Sequence, residues 1–219
     1  MVSVEKECSK PRVVVISGSV GSGKTTLTER LADLLGGSPV LIFDHYEQYA
    51  EWPQDIDQWI RAGADPNQVR VPRLKEDLLS LLKGTSITHP LDNRTINSSE
   101  YILVEEPSGR ERQEIAEYID LVVYVDVPQD VCVVRVVQRA LGMTGPDFER
   151  TVESESRQGL ARRLKAVAFW LAQYERMRSV YIEVSGIVKQ KADIVVDGLR
   201  PVDEIAQQVL DAIEGLEKQ

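Results

Sequence analysis

Gly18-Ser19-Val20-Gly21-Ser22-Gly23-Lys24-Thr25-Thr26 decides the fold. The stretch fits G-x-x-x-x-G-K-[ST], with Gly18, Gly23, Lys24 and Thr25 in the fixed places. Before it, Arg12-Val13-Val14-Val15-Ile16 is a short β-branched run of the kind that forms a buried strand. After it, Leu27, Leu31, Leu34 and Leu35 recur at helical spacing. Strand, glycine loop, helix is the context in which the pattern has a mechanism. Glycines let successive backbone N–H groups turn inward with no Cβ in the way. The helix that follows adds unpaired N–H groups and the positive end of its dipole. Such a loop cradles phosphate. Gly18, Ser19, Gly21, Ser22, Gly23, Lys24, Thr25 and Thr26 are the candidate contacts. Lys24 is expected to reach the β and γ phosphates of ATP, and the Thr25 hydroxyl to sit on Mg²⁺.

The 219-residue chain is ordinary in bulk: 42% hydrophobic, 28% charged, net charge −9. That length suits a single domain, 1–219. The negative charge argues against a general nucleic-acid or anionic-membrane surface. Two unclustered cysteines, Cys8 and Cys132, provide no disulfide framework or metal spacing. With a polar N-terminus and no apolar run near ~20 residues, the expectation is a cytoplasmic protein that does not enter membranes.

Along the chain, Val40–Phe43, Tyr101–Val104, Leu121–Val125 and Ile194–Val196 read as further buried strands. Leu74, Leu78, Leu81 and Leu82 mark a helix closed by Gly84. Ser108–Tyr118 and Val131–Leu141 read as helices, and Leu160 to about Arg178 as a long one. A last helix opens at Pro201 and carries Val202, Ile205, Val209 and Ile213. Ile87–Ser99 reads as polar and irregular. Five apolar strands separated by helices predict an α/β fold with a parallel sheet covered on both faces. Ligands then bind at the carboxyl ends of the strands.

Three strands end in acids: Asp44, Glu105 and Asp126. Phosphate transfer needs one carboxylate near Mg²⁺ and another to orient the acceptor hydroxyl and take its proton. Asp44 suits the second role and Glu105 the first, so Thr25, Glu105 and Asp44 are the candidate metal contacts. Asp126 is the least suited, with Pro128 turning the chain away. No strand ends in Asp-Asp or Asp-Glu as in hydrolysing motor ATPases, which favours a phosphotransferase. Arg135 and Arg139 share one face of an otherwise apolar helix and call for anions, phosphate first. Arg150, Arg157, Arg162 and Arg163 follow, and Gly142, Gly145 and Gly159 are candidate hinges of a lid over about 140–160. An acceptor site is expected in the insert at about 45–99, with Asp44, His45, Tyr46 and Arg94 as candidate contacts. Tyr49, Trp52, Trp59, His89 and Asp92 stand nearby in sequence.

These residues carry a resemblance. The phosphate loop, Phe43-Asp44-His45-Tyr46, Leu74–Gly84, Val104-Glu105, Val125–Pro128, the Arg135/Arg139 pair and Lys191–Val195 together resemble the uridine kinase and phosphoribulokinase group of P-loop kinases. The resemblance implies a three-layer P-loop NTPase fold, a five-stranded mostly parallel sheet in the order 2-3-1-4-5 with a helical lid. It also implies ATP-dependent transfer to a hydroxyl of a small molecule, a nucleoside or sugar, with catalysis by Lys24, Asp44, Arg135 and Arg139. A homodimer is compatible with it. Three departures stand out. His89-Pro90-Leu91-Asp92-Asn93-Arg94 replaces the segment that grips uridine, Glu105-Glu106-Pro107 replaces a Glu-Gly, and Ala140 follows Arg139 where the group has an acid. The alternatives are a nucleoside monophosphate kinase, for which Arg61, Arg70, Arg73 and Arg94 are available, and a nucleotide-dependent switch or assembly factor with ATPase or GTPase activity.

Overall fold

The computed structural model describes residues 10–143 and 155–216. Its first elements are β1 (Arg12–Gly18), α1 (Lys24–Leu34), β2 (Val40–Ile42) and a 3₁₀ turn over Phe43–Tyr49. The insert follows with α2 (Ile56–Arg61), a 3₁₀ turn over Pro66–Gln68, α3 (Pro72–Leu82), and the short strands β3 (Ile87–Thr88) and β4 (Thr95–Ile96). The chain continues through β5 (Tyr101–Glu105), a 3₁₀ turn over Gly109–Glu111, α4 (Gln113–Ala116), β6 (Leu121–Asp126) and α5 (Gln129–Leu141). It closes with α6 (Arg157–Lys191), β7 (Ile194–Asp197) and α7 (Val202–Leu216).

The main sheet runs β2-β5-β1-β6-β7, every neighbouring pair parallel. Counting only its five strands, this is the order 2-3-1-4-5. Alternation along β1 divides the core. Val14 and Ile16 face Leu27 and Leu31 of α1 and Ile205, Val209 and Ile213 of α7. Val13 and Val15 face Leu74, Leu78 and Leu81 of α3, with Ile115 and Tyr46. Both faces are dry, so the strands read as unbroken apolar runs. Each such side chain contributes about 1.5–3 kcal/mol on burial. Register then sets the chemistry. Ile16 lies beside Glu105, and Ile42 beside Glu105 from the other side. The phosphate loop, Glu105 and the segment after Ile42 therefore emerge at one end of the sheet.

Several expectations are corrected. Phe43 leaves the strand and begins the 3₁₀ turn that carries Asp44, His45 and Tyr46. Ser108–Tyr118 is not one helix but a 3₁₀ turn and a single turn of α4. The cause is Arg112, extended at φ −80° and ψ 92° so that its side chain turns inward to Glu106. Ile87–Ser99 holds an antiparallel hairpin, β3 with β4, reversed through Asn93 at φ 58°. The long helix does not stop near Arg178; it runs 35 residues to Lys191 with Gly186 inside it. Its second half gains partners the first lacks: Met177, Val180 and Val184 pack on Trp59, Ala64 and Val69 of the insert.

The proposed lid segment, including Gly145 and Arg150, lies largely outside the described residues. Of its flanks, Arg163 donates to the carbonyl of Leu141 and pairs with Glu155 at 2.6 Å, fastening the end of α5 to the start of α6.

Candidate active site

The loop between β1 and α1 follows its sequence logic. Gly23 stands at the start of α1 with φ 98°, which L side chains avoid. Gly21 has φ 85°, and a Cβ there would lie 2.5 Å from the carbonyl oxygen of Cys132 in α5. The loop is thus pressed onto α5 with no room for a side chain. Ser19 is tied from two sides, accepting from Gln129 Nε2 at 2.5 Å and meeting the Ser185 hydroxyl of α6 at 3.1 Å.

Lys24 is buried. Its ammonium donates to the Ser19 carbonyl at 3.1 Å and lies 3.9 Å from Glu105 Oε1. Burial pushes the Lys24 ammonium below its ordinary range, against the Glu105 charge, which pulls the other way. Burial likewise pushes Glu105 up, opposed by Lys24 and the Thr25 hydroxyl. The two directions agree: desolvation outweighs the mutual attraction, as is common for buried pairs. Glu105 Oε2 is buried and has no hydrogen-bond partner among the described residues. A bare anionic oxygen beside a Thr hydroxyl and a phosphate loop is a hard-oxygen donor set. It fits Mg²⁺, which takes one or two protein oxygens and completes its shell with water and phosphate. No group of three or more His, Cys, Asp or Glu suited to a metal occurs among the described residues.

Asp44 sits in the first turn after β2, exposed. Its charge raises the Lys24 ammonium and acts on Tyr181 of α6, whose hydroxyl is pushed up mainly by burial and then by Asp44. His45 is half-buried, and burial followed by the neighbouring His89 pushes it down. Asp44 thus lies within electrostatic reach of Lys24 in the loop, of His45 beside it and of Tyr181 on α6. Tyr181 stacks on Tyr174 with centroids 5.9 Å apart. With Trp170, Val20 and Val136 these rings line a small apolar cavity of about 20 Å³, room for about one water.

Not every candidate joins this group. Tyr46 does not: it is fully buried, and its hydroxyl donates to Asp77 at 3.0 Å, so it is a core residue rather than an acceptor contact. Arg94 is exposed on the β3–β4 hairpin, 3.6 Å from Asp92. Arg135 donates to the carbonyls of Ser22 and Gly198 at 3.2 and 3.1 Å, clasping the loop to the turn after β7. Arg139, one turn on, is exposed. Asp126 pairs with Lys189 at 2.7 Å. Trp59 is packing, with Nε1 donating to the Asp65 carbonyl. Glu106, at the departure from Glu-Gly, is fully buried and bonded to Arg112 at 2.8 Å.

Sequence reasoning missed Gln129, Tyr181 and Ser185. Tyr174, Tyr181 and Ser185 lie seven and four residues apart, one face of a helix, but that signal is readable only if the helix continues past Arg178.

No protein-family model matches the chain. A uridine kinase of Clostridium perfringens is 27% identical over 157 residues, covering 66% of this chain and 74% of that protein. A uridine kinase of Halobacterium salinarum is 24% identical over 194 residues, covering 83% and 77%. Among solved structures, a Thermus thermophilus protein aligns over 94% of this chain and 97% of its own with a TM-score of 0.50 at 19% identity, a shared fold. The phosphate loop, the sheet order and these sequence relatives together support a P-loop kinase of the uridine kinase-like group.

Proposed function

We propose that the protein transfers the γ-phosphate of Mg·ATP to a hydroxyl of a small molecule of the nucleoside or sugar type. The single observation that carries this is the buried Glu105 oxygen without a partner, set between Thr25 and Lys24 and one strand from Asp44. A structural carboxylate would be satisfied where it is buried; one kept for a ligand is not.

In this reading the backbone N–H groups of Gly18–Thr26 hold the phosphates, and Lys24 neutralises charge that gathers on the β and γ groups. Thr25 and Glu105 would hold Mg²⁺, which when bound draws charge from the phosphate oxygens. Asp44 orients the acceptor hydroxyl and takes its proton. The hydroxyl oxygen bonds to the γ phosphorus as the bond to the β–γ bridging oxygen breaks, and ADP leaves with that electron pair. Arg139 is retained as a phosphate contact. Arg135 holds the loop in shape through Ser22. Tyr181 and Tyr174 offer the acceptor a flat apolar wall.

The monophosphate-kinase alternative needs insert arginines free to take a second phosphate. Of its four candidates, Arg70 lies 3.4 Å from Glu51, Arg73 3.0 Å from Asp77 and Arg94 3.6 Å from Asp92, which leaves the exposed Arg61 and favours an uncharged acceptor.

The test is transfer of labelled phosphate from ATP across nucleosides, hexoses and polyols, with nucleoside monophosphates alongside. Lys24→Ala should lower turnover by roughly 10²–10³-fold, the scale of losing one preorganised charge donor. ATP binding with no transfer to any acceptor would overturn the proposal.

A further inference from the structure

The sequence holds two histidines, and the fold brings them together from different segments. His45 Nδ1, in the turn after β2, lies 3.2 Å from His89 Nε2 at the end of β3, the rings edge to face with centroids 5.1 Å apart. On its other side, His89 Nδ1 meets Asp92 Oδ1 at 2.8 Å. Asp92 is held in turn by the Arg94 N–H at 3.1 Å, with the Arg94 guanidinium 3.6 Å from its second oxygen. His89 is buried, 5% exposed. The row runs from an exposed carboxylate, through a buried imidazole, to the imidazole next to Asp44.

With both rings neutral, the contacts order the hydrogen bonds along the row. An ionised carboxylate only accepts. The 2.8 Å contact therefore requires a proton on His89 Nδ1, since a bare lone pair would face an anion. The Asp92 backbone N–H also approaches Nδ1, but at 3.4 Å, too far to compete. A neutral imidazole carries one proton, so His89 Nε2 accepts. His45 Nδ1 must then be the donor, and His45 Nε2 is left with a bare lone pair. It makes no other hydrogen bond among the described residues. Asp44 acts on the same ring.

We propose that the Asp92–His89–His45 row holds His45 as a hydrogen-bond acceptor in the turn that also carries Asp44, so that the molecule to be phosphorylated carries a second hydrogen-bond donor besides the reacting hydroxyl. The substrate class is a polyhydroxylated or amino-bearing small molecule. This rests on the proposed function for what is phosphorylated, but the ordering of the row stands by itself. His45 touches the substrate; His89 and Asp92 are positioning residues that act through it.

Two imidazoles make the row readable without knowing the substrate. Long-range ¹H–¹⁵N spectra of the full chain, at a pH where both rings are neutral, should show His45 and His89 both protonated at Nδ1. Asp92→Ala, an exposed change, should return His45 towards the Nε2–H form, while Asp92→Asn, which keeps an oxygen acceptor, should shift it less. His45 protonated at Nε2 in the native protein, or indifferent to Asp92→Ala, would overturn the proposal. The substrate half is tested with matched acceptors. Ribonucleosides and hexoses that are phosphorylated should lose roughly 10- to 100-fold in kcat/KM when one of their other hydroxyls, the one His45 accepts from, is replaced by hydrogen, the cost of one unmade hydrogen bond. That loss should shrink in Asp92→Ala. An undiminished kcat/KM for the deoxy compounds would refute it. A panel with no turnover would fall on the proposed function, and the spectra would still decide the row.

Discussion

Replacing Arg112 with Met should cost the protein more than any other single change near the site that leaves the phosphate loop intact. Arg112 is only 3% exposed and Glu106 is fully buried. Arg112 Nε holds Glu106 Oε2 at 2.8 Å, while Nη1 reaches the Val69 carbonyl at 2.5 Å and the Pro66 carbonyl at 3.4 Å. The guanidinium lies 4.8 Å over the Phe43 ring. One fork thus joins β5, the insert and the turn after β2. Methionine keeps the volume of the stem but strands Glu106, whose remaining bond is the Ser108 N–H to Oε1. Breaking a buried pair from one side costs about 3–5 kcal/mol, because the other charge stays buried without its counterion. For a protein of this size that is a fall in Tm of roughly 6–20 °C. Guanidinium denaturation of wild type, Arg112→Met, Glu106→Gln and the double variant measures the coupling. The double variant should recover much of the loss, since it removes the stranded charge. An Arg112→Met variant within about 1 kcal/mol of wild type, or a double variant as unstable as the sum of the singles, would refute the view that this pair fastens the insert to the sheet.

Gly21→Ala should weaken Mg·ATP binding and cost about 1–3 kcal/mol, because its methyl would sit 2.5 Å from the Cys132 carbonyl at a φ of 85°; nucleotide titration by fluorescence reads the first effect and denaturation the second. Glu105→Gln should leave the nucleotide-free protein as stable as wild type or more so at neutral pH, yet shrink its thermal stabilisation by Mg·ATP. The sign follows from burial, which raises the folded pKa of Glu105 above its ordinary 4.5. Stability tied to its protonated form is fully present below that ordinary value and lost as pH rises through the raised one. The wild-type stability curve should therefore fall relative to Glu105→Gln as pH climbs from about 4.5; coincident curves would contradict it. Tyr46→Phe should cost about 1 kcal/mol through the lost bond to Asp77 and leave the KM for any acceptor unchanged, whereas a raised KM would return Tyr46 to the site.

How far the sequence could be read depended on how far apart the deciding residues lie. Gly18–Thr26 and its flanks are contiguous, and their geometry follows from local backbone freedom and the helix start. The strands on either side are apolar enough to mark the sheet, so Glu105 and Asp44 could be found from the rule that ligands gather at strand ends. Tyr46 shows where that reasoning stops. An aromatic two residues after a strand-end acid reads equally well as a ligand wall or a core side chain, and what decides is Asp77, 31 residues away on a helix of the insert. Glu106 looked like a lost glycine because its partner, Arg112, sits in what reads as uninterrupted helix; only the inward turn at Arg112 reveals the pair. His45 and His89, 44 residues apart, meet because the hairpin folds back over the turn after β2. These three failures each concern a polar group whose partner comes from another element, and each lies around the insert. The donor side of the site is built from consecutive residues on a sheet that any P-loop kinase needs. The acceptor side we propose is built from long-range pairs in the insert, so contacts such as Asp92–His89–His45, rather than a motif, would carry substrate choice.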